Sequence, residues 1–322
     1  MDTRFSRLFN LTEEQAIEIL DAPADDSDEA SSRYIAASHL VNFDSQAAVA
    51  ALIRAAENAD ADLDNRIVRR KAVESLGRLK AKAALPVIER CLDDEDNYLV
   101  ENAAWALGEI GTVDAAILEK LAQQLARPDQ SYRTIIHTLA SLSYEPAIDR
   151  IEKFTASEQA PIVSAAFSAM YRLKGDEAAI LQVVKFLQSP NVNARRGSIQ
   201  DLIDAGYYPA IPSIGRCPVS SVFRLRGIKQ LAAVGIEAGG LSFAKVQPVL
   251  ERVINDHPND VALVHRYDQL PDVQRLVQDL YGTDFGRCYL ASKTLIDRYP
   301  EAAPAALLAS YEAEGYNDYG AH

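Results

Sequence analysis

The chain has 322 residues, of which 48% are hydrophobic and 25% charged, and its formal net charge at pH 7 is −13. This composition is typical of an acidic globular protein with an extended apolar core, and it excludes a disordered, collagen-like or disulfide-rich chain. The cysteines Cys91, Cys217 and Cys288 are widely spaced and form no CxxC pair, which favours reduced thiols.

The N-terminal region, residues 1–32, is predicted to hold one helix and an acidic loop. Residues 1–64 carry 14 acidic and 4 basic side chains, and the negative charge is densest from Asp21 to Glu29. That run is either a solvated loop or a docking site for a partner. An acidic surface repels phosphate groups, so nucleic acid is not an expected partner.

The sequence shows no signal for export or membrane insertion. The first residues lack the apolar stretch of a secretory signal, and apolar runs such as residues 47–53 are too short to span a bilayer. We therefore expect a cytoplasmic protein without membrane insertion.

A repeat of about 30 residues organises residues 33–234. The segment AVESLGRL (72–79) recurs as AAWALGEI (103–110), IIHTLASL (135–142) and AFSAMYRL (166–173). Each unit contains two helical patterns closed by polar turn residues, and strand-like alternation is nearly absent. This pattern predicts an all-α fold, an α-solenoid of about seven HEAT-like helical hairpins. The units end at Phe43, Leu79, Ile110, Leu142, Leu173, Ala205 and Val234.

The period fades beyond Val234, where Gly235, Gly239 and Gly240 interrupt the chain. Apolar residues at helical spacing still continue almost to the C-terminus. Residues 235–322 are therefore predicted to form an irregular helical cap and a loose tail. Its predicted helices cover residues 243–256, 271–281, 285–299 and 302–313.

The third unit contains Trp105, the only tryptophan of the chain. On a helical wheel for residues 98–110, Trp105 lies opposite the apolar arc. It either packs beneath a neighbouring element or forms one wall of a binding surface. The arc around it consists of Tyr98, Glu101, Asn102, Trp105 and Glu109.

Stacking of the repeats places equivalent residues of neighbouring units side by side. The resulting row suits a planar, conjugated ligand with carboxylate arms, because arginines pair with carboxylates, aromatic rings cover a ring face and a glutamate or histidine exchanges protons. Each residue alone also fits a solvated surface. This predicted strip consists of Arg70, Glu74, Glu101, Trp105, Arg133 and His137.

The basic block DNRIVRRK (64–71) directly precedes the repeat motif AVESLGRL (72–79). It is either a solvated helix face with local ion pairs or an anchor for an anionic ligand through Arg66, Arg69 and Arg70. The two interpretations are equally compatible with the residues.

Several catalytic signatures are missing. The chain has no GxGxxG or GxxxxGK[ST] loop, no GxSxG elbow and no HExxH motif. The scaffold is similar to that of deoxyhypusine hydroxylase, which ligates iron through repeated His-Glu pairs, but those pairs are absent here. The sequence therefore predicts no metal site and argues against a metal-dependent hydroxylase.

Three segments resemble the E/F-type phycobilin lyases, which are cyanobacterial proteins built from HEAT-like repeats. They are RYIAASHLVNF (33–43), DNRIVRRKAVESLGRLKA (64–81) and DNYLVENAAWALGEIGT (96–112), and LTEEQAIEIL (11–20) is similar to the first helix of that family. The resemblance covers residues 11–112 most clearly. It implies attachment of a bilin chromophore to phycobiliproteins, with phycoerythrobilin as the expected bilin.

On this resemblance, the substrate is a linear tetrapyrrole with two propionates, and the acceptor is a cysteine of a phycobiliprotein subunit. No permanently bound cofactor is expected, since the phycobilin is the substrate. The family resemblance also allows isomerisation of the bilin and a lyase partner subunit. A non-enzymatic scaffold or chaperone for phycobiliprotein subunits is the alternative.

Ligand chemistry then suggests roles for the residues of the predicted strip and its neighbours. We expect the carboxylates to orient or protonate the pyrroles, and the arginines to bind the propionates. The binding candidates are Arg69, Arg70, Tyr98, Trp105 and Arg133, and the catalytic candidates are Glu101, Glu109 and His137.

Overall fold

The protein is built from α-helices, as the repeat pattern predicts. A computed structural model describes residues 11–23, 29–60 and 62–314, and these ranges contain no strand. The predicted all-α class is therefore confirmed. The chain divides into two compact units, Met1–Lys153 and Phe154–His322. The described helices of the first unit are α1 (Glu13–Asp21), α2 (Glu29–His39), α3 (Gln46–Glu57), α4 (Leu63–Arg78), α5 (Leu85–Cys91), α6 (Asn97–Ile110), α7 (Ala115–Gln123), α8 (Tyr132–Ser141) and α9 (Ile148–Glu152).

Alternate helices of the first unit pack side by side. Helix α4 packs on α2, α6 packs on α4, and α8 packs on α6. Each helix therefore buries its apolar face against the next repeat, as a solenoid requires. The buried residues of α4 and α6 include Val68, Ala72, Leu76, Leu99, Ala103 and Leu107.

Polar residues at the helix ends fix where these helices begin. Asp62, Asp96 and Asp114 each precede a helix and accept a hydrogen bond from a main-chain N–H of its first turn. Helix α6 ends at Gly111, whose φ of 75° is in the left-handed region that glycine adopts without strain. The bounds of α6, which carries Tyr98 and Trp105, thus follow from local sequence.

Helices α4 and α6 approach closely at Gly77. A Cβ atom built on Gly77 would lie 2.8 Å from both Cα and Cβ of Ala106 and 3.0 Å from Cζ3 of Trp105. No side chain fits in that space, so glycine sets the distance between the two helices. This contact also brings the Trp105 indole onto the preceding repeat.

The second unit continues the helical pattern and includes the C-terminal helices. Two of its arginines, Arg195 and Arg224, are fully buried. Arg195 pairs with Asp284, and Arg224 pairs with Asp256 and donates to the Tyr289 hydroxyl. The described helices of this unit are α10 (Ala160–Lys174), α11 (Glu177–Phe186), α12 (Val192–Asp204), α13 (Ile211–Gly215), α14 (Ser221–Glu237), α15 (Phe243–Asn255), α16 (Val273–Asp279), α17 (Phe285–Arg298) and α18 (Ala303–Glu314).

The structure does not test the predicted domain boundaries or the whole of the acidic run. The predicted boundaries at residues 32 and 234 remain predictions, and the acidic run from Asp21 to Glu29 lies partly outside the described residues, at 24–28. Across the described part of the chain, no helix is both long enough and apolar enough to cross a membrane.

Candidate functional site

Asp96, Arg70 and Tyr98 form one connected group between α4 and α6. Arg70 donates two hydrogen bonds to the Asp96 carboxylate, at 2.7 Å from Nε to Oδ2 and 2.8 Å from Nη2 to Oδ1. The same carboxylate accepts the main-chain N–H of Tyr98 at 3.1 Å. The Arg70 guanidinium lies over the Tyr98 ring, 4.7 Å from its centroid. A two-pronged ion pair thus fixes the cation that supports the ring.

The Asp96 carboxylate is ionised in this arrangement. Burial raises its pKa, but the hydrogen bonds and charge of Arg70, the Tyr98 N–H and the charge of Arg66 outweigh burial and hold the pKa below its usual range. Arg66 lies farther away than Arg70, with its Nε 3.6 Å from Asp96 Oδ2. Asp96 therefore organises two of the arginines of the basic block.

Arg69 points to a different part of the first unit. Its Nε donates to the main-chain oxygen of Ala56 at 3.2 Å, and its Nη1 lies 3.1 Å from Asp94 Oδ2. These contacts direct Arg69 towards the end of α3 and the loop after α5. The structure therefore does not place Arg69 with Tyr98, whereas Arg70 and Tyr98 are in direct contact.

Glu101 connects α6 to the start of α8. Its Oε1 accepts hydrogen bonds from Ser131 Oγ at 2.8 Å and from Thr134 Oγ1 at 3.0 Å. Both contacts join adjacent repeats, which is the neighbour relationship that the predicted strip assumes. A carboxylate held by two hydroxyl groups has a defined position from which to exchange a proton.

Trp105 is half-buried, and Glu109 one turn later is exposed. The partial burial of the indole follows from its contact with Gly77 of the preceding helix. Trp105 thus combines packing on a neighbouring element with partial access to solvent. Glu109 has access to solvent beside it on the same helix.

Glu74, at the equivalent position of α4, is held by two cations. Its carboxylate lies 2.8 Å from Lys71 Nζ and 2.8 Å from Arg78 Nη2. Burial raises the Glu74 pKa, but hydrogen bonds and charge from Lys71 and Arg78 outweigh burial and lower it. Lys71 also lies over the ring of Tyr34, 5.1 Å from the centroid. A second exposed tyrosine is thus supported by a cation on the same row of helices.

Arg133 and His137 lie one turn apart on α8, and both are partly exposed. Helix α8 packs on α6, where Gly108 faces Thr138. Arg133 and His137 are therefore carried by the helix next to Glu101 and Trp105. Their roles in ligand binding and proton exchange remain predictions.

Asp96 is the site residue that sequence reasoning misses. It lies in the polar run DDEDN between two helices, where it has the appearance of turn material. The only local signal is its place directly before an apolar helix, which is typical of an N-cap. Its contact with Arg70 joins residues 26 positions apart and depends on the packing of α4 on α6.

Comparison with known proteins identifies the family. Residues 61–132, which span α4 to α7, match the family described as HEAT repeats. The phycocyanin operon protein Y of Pseudanabaena tenuis is 58% identical to this chain over 322 residues, covering 100% of the chain and 77% of the relative. The bilin biosynthesis protein CpeY of Synechococcus sp. strain WH8020 is 32% identical over 300 residues, covering 93% of the chain and 71% of the relative.

The phycocyanobilin lyase subunit alpha of Synechococcus elongatus is 33% identical over 236 residues, covering 69% of the chain and 85% of the relative. The chain belongs to the E/F-type phycobilin lyase family. The resemblance seen in the sequence is thereby confirmed.

A solved structure supports both the phycobilin lyase family and its fold. The complex of CpcE and CpcF of phycocyanin lyase from Nostoc contains a chain that is 29% identical to this one, with a TM-score of 0.63. The match covers 76% of this chain and 95% of that chain. The predicted α-solenoid of HEAT-like repeats is therefore confirmed.

Proposed function

We propose that this protein is a phycobilin lyase that binds a linear tetrapyrrole, phycoerythrobilin, and attaches it to a cysteine of a phycobiliprotein subunit. The observation that carries the proposal is the 32% identity over 93% of the chain with a protein named for bilin biosynthesis. The choice of phycoerythrobilin rests on the resemblance of the sequence segments. Phycocyanobilin, the bilin in the name of the similar lyase alpha subunit, is the comparison bilin for the assay.

In the proposed reaction, the acceptor thiol adds across an ethylidene double bond on the terminal ring of the bilin. A carbon–sulfur bond forms, the carbon–carbon double bond is consumed and the thiol proton ends on the bilin, so no group leaves. The lyase would hold the bilin in a reactive geometry and control its protons. Acceleration by positioning requires no cofactor that stays bound.

The cysteines of this chain fit a reaction whose nucleophile comes from the acceptor. Burial raises the pKa of Cys91 to about 11 and that of Cys217 to about 12, and it also raises the pKa of Cys288. A buried thiol with a raised pKa is a poor nucleophile at neutral pH. The thiolate that attacks the bilin is thus expected on the phycobiliprotein.

The proposed site uses the strip from α4 to α8. Tyr98 and Trp105 would contact the pyrrole rings, since both have surface open to solvent. Proton exchange is assigned to three groups and propionate binding to three arginines, because carboxylates and imidazole titrate or accept protons and guanidinium pairs with carboxylate. The proton-exchange candidates are Glu101, Glu109 and His137, and the propionate-binding candidates are Arg70 and Arg133, with Arg69 as a third candidate away from Tyr98, beside Asp94.

A lyase partner subunit is part of the proposal. The similar Nostoc structure is a complex of two lyase chains. We therefore expect that a second lyase-type chain increases the rate of transfer. The assay should be run with and without that chain.

The test is co-expression of the full chain with a phycoerythrobilin-producing pathway and candidate phycobiliprotein subunits. We expect a coloured complex and then a subunit that stays coloured under denaturing conditions, which shows a covalent thioether. The absorption spectrum of the product distinguishes simple attachment from attachment with isomerisation. Binding of subunits by a colourless protein, without transfer of either bilin, would instead support the scaffold or chaperone function.

A further inference from the structure

The ring of Tyr98 is held in place although it is largely exposed. Its side chain is 66% exposed, yet the Arg70 guanidinium lies 4.7 Å from the ring centroid. Asp96 is 5% exposed and binds both the guanidinium and the main-chain N–H of Tyr98. One carboxylate thus fixes both the backbone under the tyrosine and the cation against its ring.

The contacts of Asp96 and Arg70 restrict an exposed side chain in the free protein. Ordering an exposed ring costs conformational entropy, and in the free protein little apolar area is buried in return. Because the ring is already ordered, less conformational entropy is lost when a ligand binds. The contacts of Asp96 and Arg70 are therefore consistent with a prepared binding surface.

Trp105 is less suited to be the principal stacking surface. Its indole is half-buried because it packs against α4, with Cζ3 only 3.0 Å from the position that a Cβ atom on Gly77 would occupy. Tyr98, on the same helix two turns earlier, has its ring open to solvent on the side away from Arg70. A flat ligand can cover that side without moving a packed residue.

We propose that Tyr98 is the shelf on which a flat, conjugated part of the ligand stacks, and that Asp96 is a positioning residue that acts on Tyr98 through Arg70. The inference rests on the proposed function for the nature of the ligand, a linear tetrapyrrole. Stacking on the ring sets the plane of the bilin relative to Glu101, one turn further along α6. Asp96 makes no contact with the ligand in this proposal.

The test measures phycoerythrobilin binding to the full chain by absorbance titration. Tyr98→Leu removes the aromatic face and should weaken binding about ten-fold, whereas Tyr98→Phe keeps it and should stay within about two-fold. Asp96→Asn keeps an N-cap of similar shape but loses the charge that holds Arg70, and should weaken binding about five-fold.

Asp114→Asn is the matched control, because Asp114 caps α7 in the same way but does not contact Arg70 or Tyr98. Its affinity should equal that of the unaltered protein. The decisive measurement is the double variant Asp96→Asn/Tyr98→Leu. If Asp96 acts through Tyr98, the double variant should bind phycoerythrobilin about ten-fold more weakly, as Tyr98→Leu alone does. If the two residues act independently, the affinity should instead fall about fifty-fold.

The possible outcomes distinguish the stacking role of Tyr98 from the proposed lyase function. Bilin transfer with full affinity in Tyr98→Leu and Asp96→Asn would overturn the shelf and leave the lyase function in place. Additive losses in the double variant would overturn the positioning role of Asp96. Binding that weakens as expected, but without transfer to any subunit, would support the shelf and contradict the lyase. No binding of bilin by the unaltered protein would overturn both.

Discussion

The three arginines near the start of α4 differ in how far their charges are already paired. The side chain of Arg69 is 14% exposed and contacts Asp94, and that of Arg70 is 23% exposed and holds Asp96. Arg66 is 43% exposed, and its nearest carboxylate contact is longer, at 3.6 Å. A ligand carboxylate can reach Arg66 without breaking a short ion pair.

We therefore expect Arg66 to contribute to propionate recognition. Arg66→Gln should weaken phycoerythrobilin binding about two- to five-fold, the size expected for a solvent-exposed charge pair. The dimethyl ester of the bilin should bind Arg66→Gln and the unaltered protein equally, because the ester has no charge to pair. Absorbance titration with both compounds measures the difference.

Arg90→Gln on α5 is the control for loss of one positive charge. Arg90 is also exposed, and it pairs with Glu57, away from Asp96. If Arg90→Gln weakens binding of the free acid as much as Arg66→Gln, the effect is general electrostatics and the assignment to Arg66 is wrong.

Sequence reasoning can predict which residues share a row, but not how their charges pair. The repeat period places Arg70, Glu101 and Trp105 on neighbouring helices, and α4, α6 and α8 do pack in that order. The Arg70–Asp96 pair joins residues 26 positions apart and depends on how α4 packs on α6. The repeat period does not predict the distance between these two side chains. For the same reason, sequence does not separate the exposed Arg66 from the more enclosed Arg69.

At the scale of helices, Gly77 allows α4 and α6 to approach closely. Gly77→Ala should lower the free energy of unfolding by about 1–3 kcal/mol, because the added Cβ would meet the backbone of Ala106. Urea unfolding measures this change. The emission of Trp105, the only tryptophan, should shift as its contact with α4 is disturbed.

Gly108→Ala is the matched comparison in the next repeat. A Cβ at Gly108 would lie 3.4 Å from atoms of the Thr138 side chain, an ordinary contact distance. Alanine should then be tolerated and stabilise the helix by about 0.5–1 kcal/mol. Equal effects at the two glycines would contradict the account of the α4–α6 contact.

The two glycines also show what an element-level prediction from sequence can achieve. Both occur in the same repeat motif, as SLGRL and ALGEI, so the sequence gives them the same role. The structure separates them, because a Cβ on Gly77 would lie 2.8 Å from Cα and Cβ of Ala106, whereas a Cβ on Gly108 would lie 3.4 Å from the Thr138 side chain. Helices and their order follow from periodicity, whereas the distance between helices depends on atoms of distant residues.

At the scale of the molecule, stability should be greatest between about pH 5 and 8. The pKa values of Asp96 and Glu74 are lowered by folding, so the stability they provide is present above about pH 4 and is lost as pH falls further. The pKa values of Cys91 and Cys217 are raised from 9.0 to about 11 and about 12, so their contribution is present below pH 9 and is lost as pH rises. Each thiol should cost about 1 kcal/mol at pH 10.

Urea unfolding at several pH values measures this dependence. Cys217→Ala should be less stable at pH 7 but should lose less stability than the unaltered protein between pH 9 and pH 10. Asp96→Asn should reduce the loss below pH 4 in the same manner. Parallel curves for the variants and the unaltered protein would show that other groups determine the pH dependence.

The buried arginines of the second unit have a consequence for synthesis of the chain on the ribosome. Arg195 is made 89 residues before its partner Asp284, and Arg224 is made 32 residues before Asp256. At a synthesis rate of about 5–20 residues per second, Asp284 is added about 4–18 s after Arg195. A guanidinium without that partner is costly to bury, so the repeat around Arg195 stays incomplete until the C-terminal helices emerge. The first unit needs no such late partner for Arg70, whose Asp96 follows within 26 residues.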